Sequence, residues 1–284
     1  MQQIKTIAQM QELSKQWHFS GDKVAVVPTM GALHEGHLSL IRVAKKHAQK
    51  VIVTIFVNPT QFGEGEDLDA YPQPLKEDMR LCDLEGASAV FTPSAAEMYP
   101  KDSSTWVDEA QVGLGLCGAK RPGHFRGVTT IVTKLFLAVL PDYAIFGEKD
   151  FQQLAVIRRM VRDLNFPVTI IGAPLIREKD GLAMSSRNRY LNTEQRQGAL
   201  SLSSSLKYAC EKIDEDNQVL LKKLKAQMKE IIEGGQGKLD YIEILHAESL
   251  EELAILPDSG EIRILVAASF GPARLIDNVG ITLG

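Results

Sequence analysis

Along the first two-thirds of the chain, apolar positions switch between helical spacing and short continuous runs. Residues 6–17 place apolar side chains at helical intervals and predict a short amphipathic helix. Residues 24–27 are a compact apolar run stopped by Pro28, and residues 29–36, with Gly31 and Gly36, predict a loop. From His37 to about Ala48 helical spacing returns through Leu38, Leu40, Ile41 and Ala44. Residues 51–57 are β-branched and nearly all apolar, which suits a strand covered on both faces. Strand, loop, helix and strand in that order make a βαβ unit of a parallel sheet.

The alternation continues with helix patterns at 75–85, 128–139 and 151–164 and strand patterns at 89–91, 143–146 and 168–171. It predicts an α/β fold, a doubly wound Rossmann-like parallel sheet. The composition shifts near Pro174. Residues 193–232 are mostly helical in pattern with a break at 214–217, and Gly234, Gly235 and Gly237 close that region. Residues 241–245, 262–268 and 279–283 are strand-like. The expected organisation is therefore residues 1–175 as the Rossmann-like domain and residues 176–284 as a smaller C-terminal α+β domain.

Composition narrows the function classes. The 284 residues are 44% hydrophobic and 24% charged, with a net charge of −4, so neither disorder nor a basic nucleic-acid surface is indicated. No polybasic run points to a membrane surface. The longest apolar stretch, residues 131–140, is interrupted by Thr133 and Lys134, ends at Pro141 and is too short to span a bilayer. Residues 1–13 lack the apolar core of a signal peptide. Cys82, Cys117 and Cys210 are far apart and odd in number, against a disulfide framework or a structural zinc site. A cytoplasmic location is expected.

The chemistry concentrates between the first strand and the helix that follows. Residues 28–37 read P-T-M-G-A-L-H-E-G-H. They occupy the carboxyl end of a parallel strand, where open α/β sheets bind ligands, and the start of a helix, whose free N–H groups and positive dipole end favour phosphate. His34 and His37, three apart, can both face such a phosphate and donate to charge that develops on it. A zinc-hydrolase reading needs H-E-x-x-H with the histidines four apart, and here they are three apart with Gly36 between Glu35 and His37.

His34-x-Gly36-His37 is similar to the H-x-G-H signature of the nucleotidyltransferase superfamily. The longer string resembles the pantothenate synthetases, the pantoate–β-alanine ligases. Five further strings do so in the same order: F-V-N-P-T-Q-F from Phe56, R-P-G-H-F-R-G-V from Arg121, F-G-E-K-D-F-Q-Q-L from Phe146, D-G-L-A-M-S-S-R-N from Asp180 and A-R-L-I-D-N from Ala273. Met184-Ser185-Ser186-Arg187 resembles the superfamily's K-M-S-K-S loop in the serine-serine-arginine form, with Arg187 its only cation.

The resemblance implies an ATP site built from Met30, Gly31, His34, Gly36, His37, Gly147, Glu148, Lys149, Asp150, Ile176, Met184, Ser185, Ser186 and Arg187. His34, His37, Lys149 and Arg187 are implied as the catalytic set. Gln61 and Gln153 would hold (R)-pantoate, with Gln61 also near β-alanine and Asn58 a weaker member of that pocket. Mg²⁺ would arrive with ATP and no protein side chain would hold it. A homodimer through the N-terminal domain is implied, with neither nucleic acid nor membrane as partner. Bland alternatives stand beside several of these. Asn58 precedes Pro59 and fits a turn, Asp150 could cap the next helix as well as hold a ribose, and residues 184–187 could be a surface turn. Arg121 and His124 fall in a Pro/Gly-rich loop of the kind that walls active sites. Other readings of the whole chain are a different adenylyl-transferring enzyme and a nucleotide-binding protein without catalysis.

Overall fold

The computed structural model describes residues 1–216 and 218–284. The chain divides into two compact units, Met1–Glu148 with Gln152–Pro174, and Lys149–Phe151 with Leu175–Gly284. The expected break at 214–217 falls partly on Asn217, which lies outside the described residues.

The first unit is a parallel sheet flanked by helices. Its strands are β1 (Gln2–Ile4), β2 (Val24–Thr29), β3 (Lys50–Ile55), β4 (Ala89–Phe91), β5 (Tyr143–Gly147) and β6 (Thr169–Ala173). They lie in the order β1-β4-β3-β2-β5-β6, every pair parallel. The helices are α1 (Ile7–Phe19), α2 (Glu35–His47), α3 (Leu75–Leu84), α4 (Ala95–Met98), α5 (Leu116–Lys120), α6 (His124–Val139) and α7 (Phe151–Asp163). Val24, Ala25, Val26 and Val27 have no exposed surface, as strands covered by helices on both faces require. Each such valine contributes about 1.5–3 kcal/mol through burial.

The chain runs outward from β2 through β3 to β4 on one side and from β5 to β6 on the other. The switch point of the sheet is therefore between β2 and β5, where this architecture opens a crevice at the carboxyl ends of the strands.

Several boundaries differ from expectation for local reasons. β2 continues through Pro28 to Thr29, because it pairs with β5 only at Ala25 and Val26, and beyond them it pairs with β3 alone. A proline N–H is not needed on an unpaired side. α2 begins two residues earlier than its apolar spacing suggests, and α6 starts at His124 rather than at residue 128. β1, α4 and α5 are too short to leave a periodic signal.

The second unit packs α8 (Thr193–Glu215) and α9 (Leu221–Gly234) on an antiparallel sheet of β7 (Lys238–His246), β8 (Gly260–Phe270) and β9 (Ala273–Leu283). Asn192 and Gln195 cap α8 reciprocally, each side chain accepting the other's backbone N–H. Leu202, Leu206, Ala209 and Ile213 on α8, and Leu224, Met228 and Ile232 on α9, form helical stripes that meet Ile262, Ile264, Val266 and Ala268 at alternate positions of β8. Among the described residues, no helix is long and apolar enough to cross a membrane.

Candidate active site

The loop from β2 to α2 makes a tight turn that side chains resist. Gly31 has φ +88° and Ala32 φ +50°, two successive residues in the left-handed region. A Cβ on Gly31 would stand 2.9 Å from an Asp78 carboxylate oxygen and 3.1 Å from the Ile55 side chain. The turn is held from below by that carboxylate. Asp78 on α3 accepts the backbone N–H of Ala32 at 2.9 Å and of Leu33 at 2.8 Å. It is 1% exposed, and burial pushes its carboxyl above the ordinary value of 3.8, opposed by those two hydrogen bonds. Burial also pushes the thiol of Cys82, one turn along α3, up to about 12, so this cysteine is inert.

His34 is the N-cap of α2 and His37 lies in its first turn, their ring centroids 4.1 Å apart. The backbone N–H of His34 donates to His37 Nδ1 at 3.3 Å. In its neutral form His37 therefore carries its proton on Nε2, which makes that nitrogen a donor. Both rings sit where the orphan N–H groups and the dipole of α2 favour an anion. Glu35 is engaged by Arg42 on the outer face of α2, and that guanidinium holds its carboxyl below the usual range. Among the described residues, no group of three His, Cys, Asp or Glu side chains is arranged to hold a metal ion.

A second cluster follows β3. Pro59–Gln61 form a 3-10 turn. Gln61 Nε2 reaches Met30 Sδ at 3.3 Å, so the expected pantoate glutamine and the Met30-Gly31 turn are neighbours. Asn58 is 1% exposed and its amide is fully engaged inside the protein. It donates to Gln61 Oε1 and the Gly127 carbonyl, and it accepts from Thr60 and Tyr99. Its geometry is that of a brace for Gln61. Gln153 is half-buried on α7, whereas its neighbour Gln152 is buried and pins the 112–117 segment through Val112, Gly115 and Cys117.

Gly147 ends β5 and Glu148–Asp150 form a 3-10 turn that runs directly into α7. Lys149 Nζ lies 3.8 Å from Asp150 Oδ1. Within the second unit, the Lys149 carbonyl accepts from Asn278 Nδ2 at 2.9 Å, and Asn278 Oδ1 accepts from Arg263 Nε at 2.8 Å. Arg263 lies over the Phe151 ring, 4.0 Å from its centroid. The A-R-L-I-D-N string thus backs Lys149 from β9.

In the same unit, Met184 N–H donates to the Ile176 carbonyl, and Ser185 caps a 3-10 turn over Ser186–Tyr190 by accepting the Arg187 N–H at 3.2 Å. Asn188, 7% exposed, donates to Glu178 and to the Ala183 carbonyl and anchors the end of the loop.

Comparison with known proteins decides the family. A family model described as pantoate–β-alanine ligase matches residues 2–280. This chain belongs to the pantoate–β-alanine ligase family. It is a ligase that joins pantoate to β-alanine. It is 50% identical over 274 residues to the pantothenate synthetase of Thermoanaerobacter sp. strain X514, with 96% of each chain covered. It is 49% identical over 281 residues to that of Sphingopyxis alaskensis, covering 99% of this chain and 100% of the relative. The crystal structure of pantothenate synthetase from Thermus thermophilus superposes with a TM-score of 0.91 at 41% identity, covering 98% of this chain and 99% of that one. The ligase from Francisella tularensis, solved as a complex with β,γ-ATP and β-alanine, gives 0.76 at 32% identity, covering 98% and 97%. The Rossmann-like sheet and smaller C-terminal α+β domain read from the sequence are the fold of these ligases.

Sequence patterns pass over one residue that shapes the loop, Asp78. Its signal is faint: a carboxylate on the face of α3 that also carries Cys82, four residues on.

Proposed function

We propose that this ligase works through an enzyme-bound pantoyl-adenylate made from ATP. The carboxylate of (R)-pantoate attacks the α-phosphorus of Mg²⁺-bound ATP, the bond to the β-phosphate oxygen breaks, and pyrophosphate leaves. The amine of β-alanine then attacks the activated carbonyl, AMP departs with the bonding electron pair, and pantothenate remains after loss of a proton from nitrogen. The adenylate carries the activation, so no side chain need become covalently bound. Catalysis rests on positioning and on donors aimed at developing charge.

The observation that carries this reading is the start of α2. Two adjacent, mutually tilted imidazoles, one with its proton directed to Nε2, share a helix N-terminus at the switch point of the sheet. In the proposal His34, His37, Lys149, Ser185, Ser186 and Arg187 stabilise the phosphates. Met30, Gly31, Gly36, Gly147, Glu148, Asp150, Ile176 and Met184 complete the ATP contacts. Gln61 and Gln153 hold pantoate, Gln61 also meets β-alanine, and Asn58 supports that pocket. Assignments in residues 176–284 rest on the motifs they match, as does the division into a nucleotide- and pantoate-binding domain of residues 1–175 and a lid of residues 176–284. The Francisella tularensis relative, solved with β,γ-ATP and β-alanine, supports the substrate set. Mg²⁺ is proposed to arrive on the triphosphate, because octahedral Mg²⁺ is commonly held by substrate phosphates. Cytoplasmic location and a homodimer through the N-terminal domain complete the proposal, and sedimentation tests the dimer.

The deciding experiment is pyrophosphate release from the purified chain with Mg-ATP and (R)-pantoate, with and without β-alanine. Sustained release only with all three substrates, with AMP and pantothenate formed together, is expected. A single-turnover burst with pantoate alone marks the adenylate. No burst and no release would overturn the adenylate mechanism.

A further inference from the structure

Building on the reading that Gln61 holds pantoate, we infer that Arg121 and His124 are positioning residues that set the Gln61 amide, and that the R-P-G-H-F-R-G-V string is a cradle for the turn that carries it.

Three contacts converge on the main chain of Gln61. His124 Nδ1 lies 2.8 Å from the Gln61 carbonyl oxygen, and Arg121 Nη2 donates to the same oxygen at 3.4 Å. The third is steric. Gly127, three residues after His124 on the same face of α6, lies so close that a Cβ there would stand 2.4 Å from the Thr60 carbonyl oxygen and 2.7 Å from Gln61 Cα. The first turn of α6 therefore holds the 59–61 turn by backbone against backbone. Asn58 ties the two together by donating to both the Gln61 side chain and the Gly127 carbonyl.

The chemistry of His124 follows from its partners. A carbonyl can only accept, so Nδ1 carries the proton. A guanidinium can only donate, so Nε2, 3.1 Å from Arg121 Nη1, is the acceptor. His124 is thus the neutral Nδ1–H tautomer, opposite to that of His37. The same guanidinium grips Glu66 through Nε at 2.7 Å and Nη2 at 2.5 Å, and Arg121 holds the Glu66 carboxyl below its usual range. One planar fork fixes the carbonyl that begins the 61–66 segment and the carboxylate that ends it, a geometry a lysine cannot reproduce. With peptide plane, preceding turn and following loop all fixed, the glutamine amide has few orientations left.

The test uses the full-length protein and compares KM for pantoate, β-alanine and ATP, kcat and the melting temperature. His124→Ala is expected to raise the pantoate KM about 10-fold while the ATP KM stays within about twofold, the scale of one lost buried hydrogen bond. His124→Asn places an amide N–H near the position of Nδ1 and restores most of the loss. His124→Gln places its amide near Nε2 and does not. Arg121→Lys raises the pantoate KM several-fold without unfolding the chain. The decisive comparison is the double variant His124→Ala with Gln61→Ala. If His124 acts through the Gln61 amide, the double variant is no worse than Gln61→Ala alone. Additive losses, or an ATP KM rising in step with that for pantoate, overturn the inference. If Gln61→Ala itself leaves the pantoate and β-alanine KM values unchanged, the reading of Gln61 fails and takes the inference with it. A raised KM in Gln61→Ala beside an unaltered His124→Ala sinks the inference alone.

Discussion

Asp78→Asn changes one atom of a buried side chain and leaves no cavity. In the native protein each carboxylate oxygen accepts one backbone N–H, from Leu33 and from Ala32. The amide offers one accepting oxygen and one NH2 group, so in either orientation one of those N–H groups faces another donor. The expected loss is about 1–3 kcal/mol at neutral pH, the cost of leaving a buried donor unpaired. The loss depends on pH. Burial raises the carboxyl above its unfolded value near 3.8. The pH-dependent part of its contribution, which adds to that of the two hydrogen bonds, is therefore complete below that value and is lost as pH rises through the folded value. The asparagine does not titrate, so the gap between wild type and variant widens as pH falls from neutrality toward 4. Urea unfolding followed by circular dichroism at several pH values measures it. A variant as stable as wild type throughout, or a gap that narrows on acidification, would refute the argument. Turnover provides a second readout, because the loop that Asp78 holds also carries His34.

Gly127→Ala forces a Cβ to 2.4 Å from the Thr60 carbonyl oxygen, where ordinary contact begins at 3.4 Å, so the 59–61 turn must move by about 1 Å. A displacement of that size lowers kcat/KM for pantoate by about 10²-fold, and steady-state kinetics would show it. His34→Ala and Lys149→Ala each slow adenylate formation by about 10²–10³-fold in a single-turnover assay, the scale of losing one oxyanion-type donor. Excess chelator abolishes turnover and added Mg²⁺ restores it, because the triphosphate needs its metal; undiminished activity in chelator would count against the mechanism.

Much of this molecule is legible from local pattern, and what is not has a physical reason. The apolar runs at β2, β3 and β5 and the spacing of α2 and α7 announce a doubly wound sheet, because covered strands and amphipathic helices each have a period that sequence displays. The strand at the chain's end is visible only from Val279 onward, whereas β9 begins at Ala273, since Arg274 and the buried polar pair Asp277 and Asn278 interrupt the apolar pattern of its first half. His34 and His37 are legible because their partners are local. Asp78 is not, since the N–H groups it serves lie on another element. The cradle under Gln61 has the same character. Nothing in the spacing of Arg121, His124 and Gly127 reveals that they face residues 60 and 61, and a Pro/Gly-rich stretch that reads as loop proves to hold the start of α6.

The order of strands has a consequence for synthesis. While the chain is being made, β2, β3 and β4 can associate as soon as they emerge, but the other edge of β2 stays open until Tyr143 and Ala144 arrive to pair with Ala25 and Val26. Until then the strand that leads to His34 and His37 is an exposed apolar edge, the kind of surface on which nascent chains aggregate. Truncations ending before β5 should therefore be insoluble as well as inactive. The ligase covers the second edge of the strand leading to His34 and His37 only when the far half of its sheet has been synthesised.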